Sequence, residues 1–431
     1  MEIKPGYKLT EVGVIPEDWE ITVLGAVCET SSGTTPSRAL MDRYYKNGTI
    51  AWVKTLDLNN SDIYATDENV TELALQETCL RSYPVGTVLV AMYGGFNQIG
   101  RTGLLRRPAA VNQAITAIRP NQNVLVSEYL ISNLSYRVDY WKSVASSSRK
   151  DPNITSKDIR DFPIALPRPH EQEVIAEALS AADAFLESLE QLVAKKRHLK
   201  RGAMQELLTG KKRLPGFGGS SNRYKETEVG PIPEDWEVAK LGDCLSEPPA
   251  YGINAPAVHY QDSLPTYIRI TDITDDGRYS PEKLVSVNAA NASDYFLEDG
   301  DLVFARTGAS VGKSYRYIPA DGRLVFAGFL IRVRPHRSRL NPSFLAAFAT
   351  TGRYWNWVRQ MSMRSGQPGI NGNEYAQLPI PRTMIEEQTA IAAILTDIDA
   401  EITALEAKLA KARQIKQGMM HDLLSGRIRL V

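Results

Sequence analysis

Two glycine-rich loops carry the residue types most suited to chemistry: residues 92–103 (MYGGFNQIGRTG) and 306–314 (RTGASVGKS). The second ends in Gly312-Lys313-Ser314, as phosphate-binding loops do. That motif also needs a glycine at position 307, which is Thr307. The first loop has no Gly-Lys-Ser, so nucleotide binding is set aside. Two readings stay open: plain tight turns between strands, or turns that bring Arg306, Lys313, Gln98 and Arg101 close to a phosphodiester. Two further loops, residues 146–155 (SSSRKDPNIT) and 362–371 (SMRSGQPGIN), hold Arg149, Lys150, Arg364 and Gln367. Arginine suits guanine edges and glutamine suits adenine. Lys54 and Arg269, at matching ends of two apolar runs, complete the set of candidate DNA contacts.

Catalytic patterns are lacking. No Asn/Asp-Pro-Pro-aromatic tetrapeptide is present, and no Gly-x-Gly-x-x-Gly loop. Glu237 and Lys240 resemble half of a nuclease site, but the equivalent segment Glu20-Ile21-Thr22-Val23 lacks the lysine. His170, His198, His259, His336 and His421 are scattered, and Cys28, Cys79 and Cys244 form no CxxC pair. No catalytic or metal-binding residues are assigned.

Charge gives a mixed signal. The chain of 431 residues has 50 basic and 50 acidic side chains. Residues 101–160 nevertheless hold ten Lys/Arg against four acids, and residues 301–364 hold eleven against two. Each run is either a solvated face or a surface for a polyanion. No run approaches the ~18 apolar residues of a membrane span, and the first residues lack a signal-peptide core, so a cytoplasmic location is expected.

The elements that position these loops are duplicated. EVGVIPEDWEITVLG (11–25) returns as EVGPIPEDWEVAKLG (228–242), and Glu171-Gln172 returns as Glu387-Gln388. Internal blocks match too: residues 50–57 with 265–272, and 86–91 with 300–305. Short strand-like runs broken by Gly, Pro and Asn point to α+β domains. Each copy ends in a helical stretch of about 40 residues, or roughly 60 Å. Ile175, Leu179, Ala182, Leu186, Leu189 and Val193 step by four and three, as do Ile391, Leu395, Ile398, Ile402, Leu405, Leu409 and Ala412. Both helices run from acidic to basic, so antiparallel pairing sets opposite charges side by side and opposes the dipoles. A capping box is expected at residues 383–386, with C-caps at Gly210 and Gly426.

The expected organisation is two globular domains joined by a pair of antiparallel coiled-coil helices with pseudo-twofold symmetry. The boundaries are 1–169, 170–213, 214–385 and 386–431.

The repeated IPEDWE…LG segment, the PRPHEQEVIAEAL and PRTMIEEQTAIAAIL approaches to the helices, and the LLTGKKRL and LLSGRIRL ends together resemble the specificity subunit of type I restriction–modification systems. The second approach departs slightly, with Thr383-Met384-Ile385 where a third proline is common. The resemblance implies two target-recognition domains, each reading half of an asymmetric bipartite double-stranded DNA sequence, with the helices setting the unread gap. It implies a non-catalytic chain that binds no cofactor itself. Its partners would be two adenine methyltransferase subunits and restriction/translocase subunits, which use S-adenosylmethionine, ATP and Mg. A coiled-coil adaptor whose two domains bind proteins is the alternative.

Overall fold

The computed structural model describes residues 4–94, 98–145, 153–218, 223–363 and 368–430. Two compact units make up the chain. The first comprises Met1–Glu190 with Lys408–Val431, and the second comprises Gln191–Ala407. Each therefore holds one globular part and a half of each long helix.

In the first unit a five-stranded sheet runs Cys28–Ser32, Ile115–Pro120, Val88–Ala91, Thr102–Leu105, Ser61–Ile63. A second sheet contains Ile50–Val53 beside Ala109–Val111, paired in parallel. The second unit repeats this plan. Its first sheet runs Ala250–Tyr251, Leu330–Val333, Leu302–Ala305, Ser314–Arg316, and its second pairs Thr266–Ile268 in parallel with Leu324–Phe326. The central strands Val88–Ala91 and Leu302–Ala305 are buried throughout, which is why they read as continuous apolar runs without alternation. The expected α+β class holds.

The duplicated segments form the frame of each unit. Glu20–Val23 pairs with Pro163–Leu166, and Glu237–Lys240 pairs with Pro379–Arg382. Trp19 and Trp236 are each 1% exposed at the centre of a core. The Trp19 core includes Leu423 and Leu424, and the Trp236 core includes Leu207 and Leu208. The end of a long helix thus seals each frame. Gly210 and Gly426 take the left-handed φ expected of C-caps, 68° and 69°. A Cβ at either would lie 2.5 Å from Pro233 or Pro16, so both conformation and space require glycine.

The long helices are Pro169–Leu207 and Ile385–Leu424. Ile175, Leu179, Leu189 and Val193 are buried, as are Ile391, Leu395, Ile402 and Leu409. Within the second unit Arg197 meets Glu406 and Lys200 meets Asp399, both at 2.6 Å, and Lys196 pairs with Glu401. Within the first, Arg413 meets Glu190 at 2.6 Å and Lys416 pairs with Asp183. Residue numbers rise on one helix as they fall on the other, so the helix segments in each unit are antiparallel. Such exposed pairs contribute about 0.2–1 kcal/mol each, and the buried seam supplies most of the stability. The expected cap differs in detail. The Thr383 hydroxyl donates to Glu387, one residue beyond Glu386, because Glu387 is turned into the core.

Candidate nucleic-acid interface

Each glycine-rich loop leaves a central strand and is tied at its root to two other loops. In the second unit Arg306 N donates to Phe329 O (3.0 Å), and Ile370 N donates to Arg306 O (2.9 Å). In the first, Met92 N donates to Ala114 O (2.8 Å) and Ile154 N to Met92 O (3.1 Å). The loops holding candidate contacts therefore converge at one place in each unit. Two of their glycines serve turn and packing. Gly100 and Gly312 have φ of 75° and 89°, and added Cβ atoms would lie 2.2 Å from Trp141 and 2.6 Å from Val358. The Gly312-Lys313-Ser314 resemblance to a phosphate loop has this structural origin.

The candidate side chains fare differently. Arg306 lays its guanidinium over the Tyr251 ring, 4.8 Å from the centroid, and its Nε is buried with no hydrogen-bond partner. Lys313 Nζ lies 2.8 Å from the exposed Asp275 carboxylate. Gln98 is half-buried beside Gly94, and Arg101 is half-buried with its backbone N–H on Gln98 O. Lys54 and Arg269 occupy equivalent N-cap positions before short 3-10 turns, where Asp57 and Asp272 accept their backbone N–H groups. Lys54 Nζ also lies 3.7 Å from Glu68. The Arg269 side chain forks onto the buried Asp272 at 2.8 and 3.1 Å. Arg149, Lys150, Arg364 and Gln367 lie outside the described residues.

The basic runs are in good part internal counter-charges. Arg332 meets Glu247 at 2.7 Å, Arg334 meets the buried Asp301 at 2.8 Å, and Arg337 meets Asp299 at 3.0 Å. In the first unit Arg106 bridges Asp62 and Glu128, Arg119 pairs with Glu29, and Lys142 with Asp139. Arg306 differs from these neighbours in having an aromatic partner in place of a carboxylate.

Neither the Cys28 and Cys244 thiols nor the half nuclease pattern offers a reactive group. Burial pushes the Cys28 thiol up to about 12 and raises Cys244 as well, which disfavours thiolates. Glu237 accepts Arg382 Nε at 2.6 Å across the frame strands, away from any arrangement with Lys240. Among the described residues no group of three His, Cys, Asp or Glu side chains is placed to hold a metal ion.

A second set of polar residues went unassigned in sequence, although its signal was there as the repeated Glu-Gln. Glu387 is fully buried and takes Arg213 Nε and Nη2 at 2.6 and 2.9 Å, with Trp236 Nε1 at 3.2 Å. Arg213 also grips Asp235 at 2.8 Å and lowers its pKa through that hydrogen bond. Glu171 is held by Arg429, which likewise binds Asp18. The adjacent glutamines join helix to domain. Gln388 accepts Asn341 N–H and donates to Arg339 O and Thr383 O; Gln172 does the same with Val126, Val124 and Pro167.

The model of the type I restriction modification DNA specificity domain matches twice, over residues 16–196 and 233–416. The chain belongs to that family. It is a specificity subunit of the type I restriction–modification kind, the non-catalytic component concerned with DNA target recognition. It is similar to the MjaIX specificity subunit of Methanocaldococcus jannaschii, with 27% identity over 71% of this chain and 70% of that one. The putative MjaX specificity subunit of the same organism shares 23% identity over 98% of this chain and 97% of its own length. In fold it resembles the type I specificity subunit of M. genitalium: TM-score 0.62 and 14% identity, covering 97% and 98% of the two chains. A chain solved for complex assembly of the type I R-M system aligns with TM-score 0.53 and 16% identity over 96% and 99%. The frame strands, the sealed tryptophans and the Glu-Gln clamps recur in both repeats of this specificity subunit, and the convergent loops are where its two repeats differ.

Proposed function

We propose that this specificity subunit recognises an asymmetric, bipartite double-stranded DNA sequence, one half through each unit, and positions adenine methyltransferase and restriction subunits on it. The observation that carries the proposal is the combination of matching backbone and unmatched side chains. The same three loops meet in each unit, yet at the matched positions one unit presents Arg306 and Phe329 and the other Met92 and Ala114. A protein that bound one symmetric surface would have no use for such divergence.

The paired helices act as the spacer in this reading. Their exposed sides and the frame are the surface for two methyltransferase subunits. S-adenosylmethionine with those subunits, ATP with the restriction subunits, and Mg all lie with the partners, and this chain binds none of them. Phosphate contacts from the partners offset the internal neutralisation of the basic runs. The complex works in the cytoplasm, consistent with no helix among the described residues being long and apolar enough to cross a membrane.

Co-expression with the methyltransferase partner, followed by genome-wide mapping of methylated adenine, tests the proposal. A motif of two defined halves around an undefined gap is expected. Replacing residues 40–160 with those of another specificity subunit should change one half only. Inserting one heptad after Lys195 and another after Ala410 should lengthen the gap and leave both halves intact. No motif at all, with protein partners recovered in place of DNA, would favour the adaptor reading.

A further inference from the structure

We propose that Arg306 reads a guanine edge in the half-site served by the second unit, and that the first unit has no such reader at the equivalent place. This rests on the two-half-site reading above.

Arg306 is a node in the fold. Its N–H goes to Phe329 O and its C=O receives Ile370 N–H, so both backbone groups are fixed by different loops. Its side chain is fixed as well. The guanidinium lies over the Tyr251 ring, and the Tyr251 hydroxyl accepts Gly372 N–H at 3.0 Å, which holds the platform from its far end. With Nε enclosed and unpartnered, the two Nη groups remain as the accessible donors. Among the described residues no carboxylate pairs with this arginine, although Arg332, Arg334 and Arg337 in the same basic run all have one.

A rigid, uncompensated fork matches two acceptors side by side. Guanine O6 and N7 form such a pair in the major groove, and a phosphate forms another. The surroundings decide between them. Tyr251, under the guanidinium, is 44% exposed, and Phe329, whose carbonyl accepts the Arg306 N–H, is 59% exposed. Exposed rings gain from contact with a base edge or a thymine methyl and gain nothing from a solvated phosphodiester. The ring contact also removes much of the ordering cost before DNA arrives, which favours a contact that must discriminate.

The first unit has the same backbone and different chemistry. Ala305 faces Leu330 as Ala91 faces Ile115, and Tyr251 faces Ile331 as Ser32 faces Thr116. Arg306, Phe329 and Tyr251 therefore correspond to Met92, Ala114 and Ser32. The Met92 side chain is buried, and none of Met92, Ala114 and Ser32 carries a charge.

The test uses the complex co-purified with its methyltransferase, on duplexes carrying the methylated motif. Each guanine of either half is replaced in turn by the other three bases. At one position in one half, the wild type should prefer guanine by about 10-fold to 100-fold. Arg306→Gln should bring that preference near parity, Arg306→Lys should leave part of it, and the other half-site should be unaffected. Should Arg306→Gln fail to assemble, Tyr251→Leu keeps the cation and removes its platform, and the same preference should fall. Equal weakening on all four duplexes with the preference intact would overturn the proposal in favour of a phosphate contact. Unchanged preferences, or losses spread over both halves, would overturn it too. A wild-type complex whose motif has no two halves would instead sink the underlying reading.

Discussion

Arg429 donates to both oxygens of Glu171, a carboxylate 3% exposed at the start of the central helix and 258 residues away in the chain. Arg213 repeats the contact on Glu387. In each case the segment just beyond one long helix locks the first turn of the other, and an aspartate next to the frame tryptophan shares the guanidinium. Removing the arginine leaves a buried carboxylate without its charge partner. Arg213→Ala and Arg429→Ala should therefore each cost about 3–5 kcal/mol. Each clamp lies within one unit, so chemical denaturation of either variant should split into two transitions, the early one belonging to the unit that lost its clamp. A single unshifted transition would show that the clamps are dispensable.

The cross-helix ion pairs set direction more than stability. Reversing one charge, as in Arg413→Glu, places two acids together at Glu190 and should cost up to about 1 kcal/mol. Adding Glu190→Arg should restore most of the loss. The coupling should shrink as salt rises, because the pair is exposed on both sides. Thermal denaturation of the two single variants and the double variant measures it. Additive losses would mean that the contact contributes nothing.

How much of this was legible in sequence follows from the range of each interaction. The seam from Ile391 to Leu409 and the acidic-to-basic order are periodic, local patterns, so the helices and their antiparallel sense could be read directly. Gly210 and Gly426 were legible for the same reason. The clamp was not, since nothing local links Arg429 to Glu171, and the repeated Glu-Gln registered only as a sign of duplication. The basic run of residues 301–364 looked like a possible polyanion surface because Glu247, the partner of Arg332, lies 85 residues away. Arg269 and Lys54 were recognised as equivalent, but their capping role with Asp272 and Asp57 depends on a short 3-10 turn that composition does not reveal.

Asp235 gives the second clamp a defined response to pH. Hydrogen bonding from Arg213 holds its pKa below the ordinary aspartate value, and burial opposes this without overcoming it. A carboxylate depressed in the folded state adds stability above its unfolded pKa, about 3.9, and loses that contribution as pH falls through the folded value. The difference in melting temperature between wild type and Asp235→Asn should thus be largest near neutrality and should close below about pH 4. A difference that stays constant from pH 7 to pH 3 would show that the aspartate charge is not what the clamp uses.

The two clamps also predict that the covalent order of the chain can be changed. In the second unit, residues beyond the central helix run on into the frame: the Tyr224 hydroxyl donates to Gly210 O, and Arg213 binds Asp235. In the first unit the same contacts join parts of the chain that are not consecutive. The Tyr7 hydroxyl donates to Gly426 O at 3.0 Å across 419 residues, and Arg429 binds Asp18. The first unit therefore already brings together the ends that a linker spans in the second. A permuted chain, opened between Gly218 and Arg223 and closed by joining residue 430 to residue 4 through a copy of residues 215–220, keeps every clamp contact. It should fold with both units intact, melt within a few degrees of the parent, and direct methylation to the same motif. A permuted chain that aggregates, while one opened at the same place and left unjoined folds normally, would show that the contact between Tyr7 and Gly426 does not hold the ends close enough to be linked.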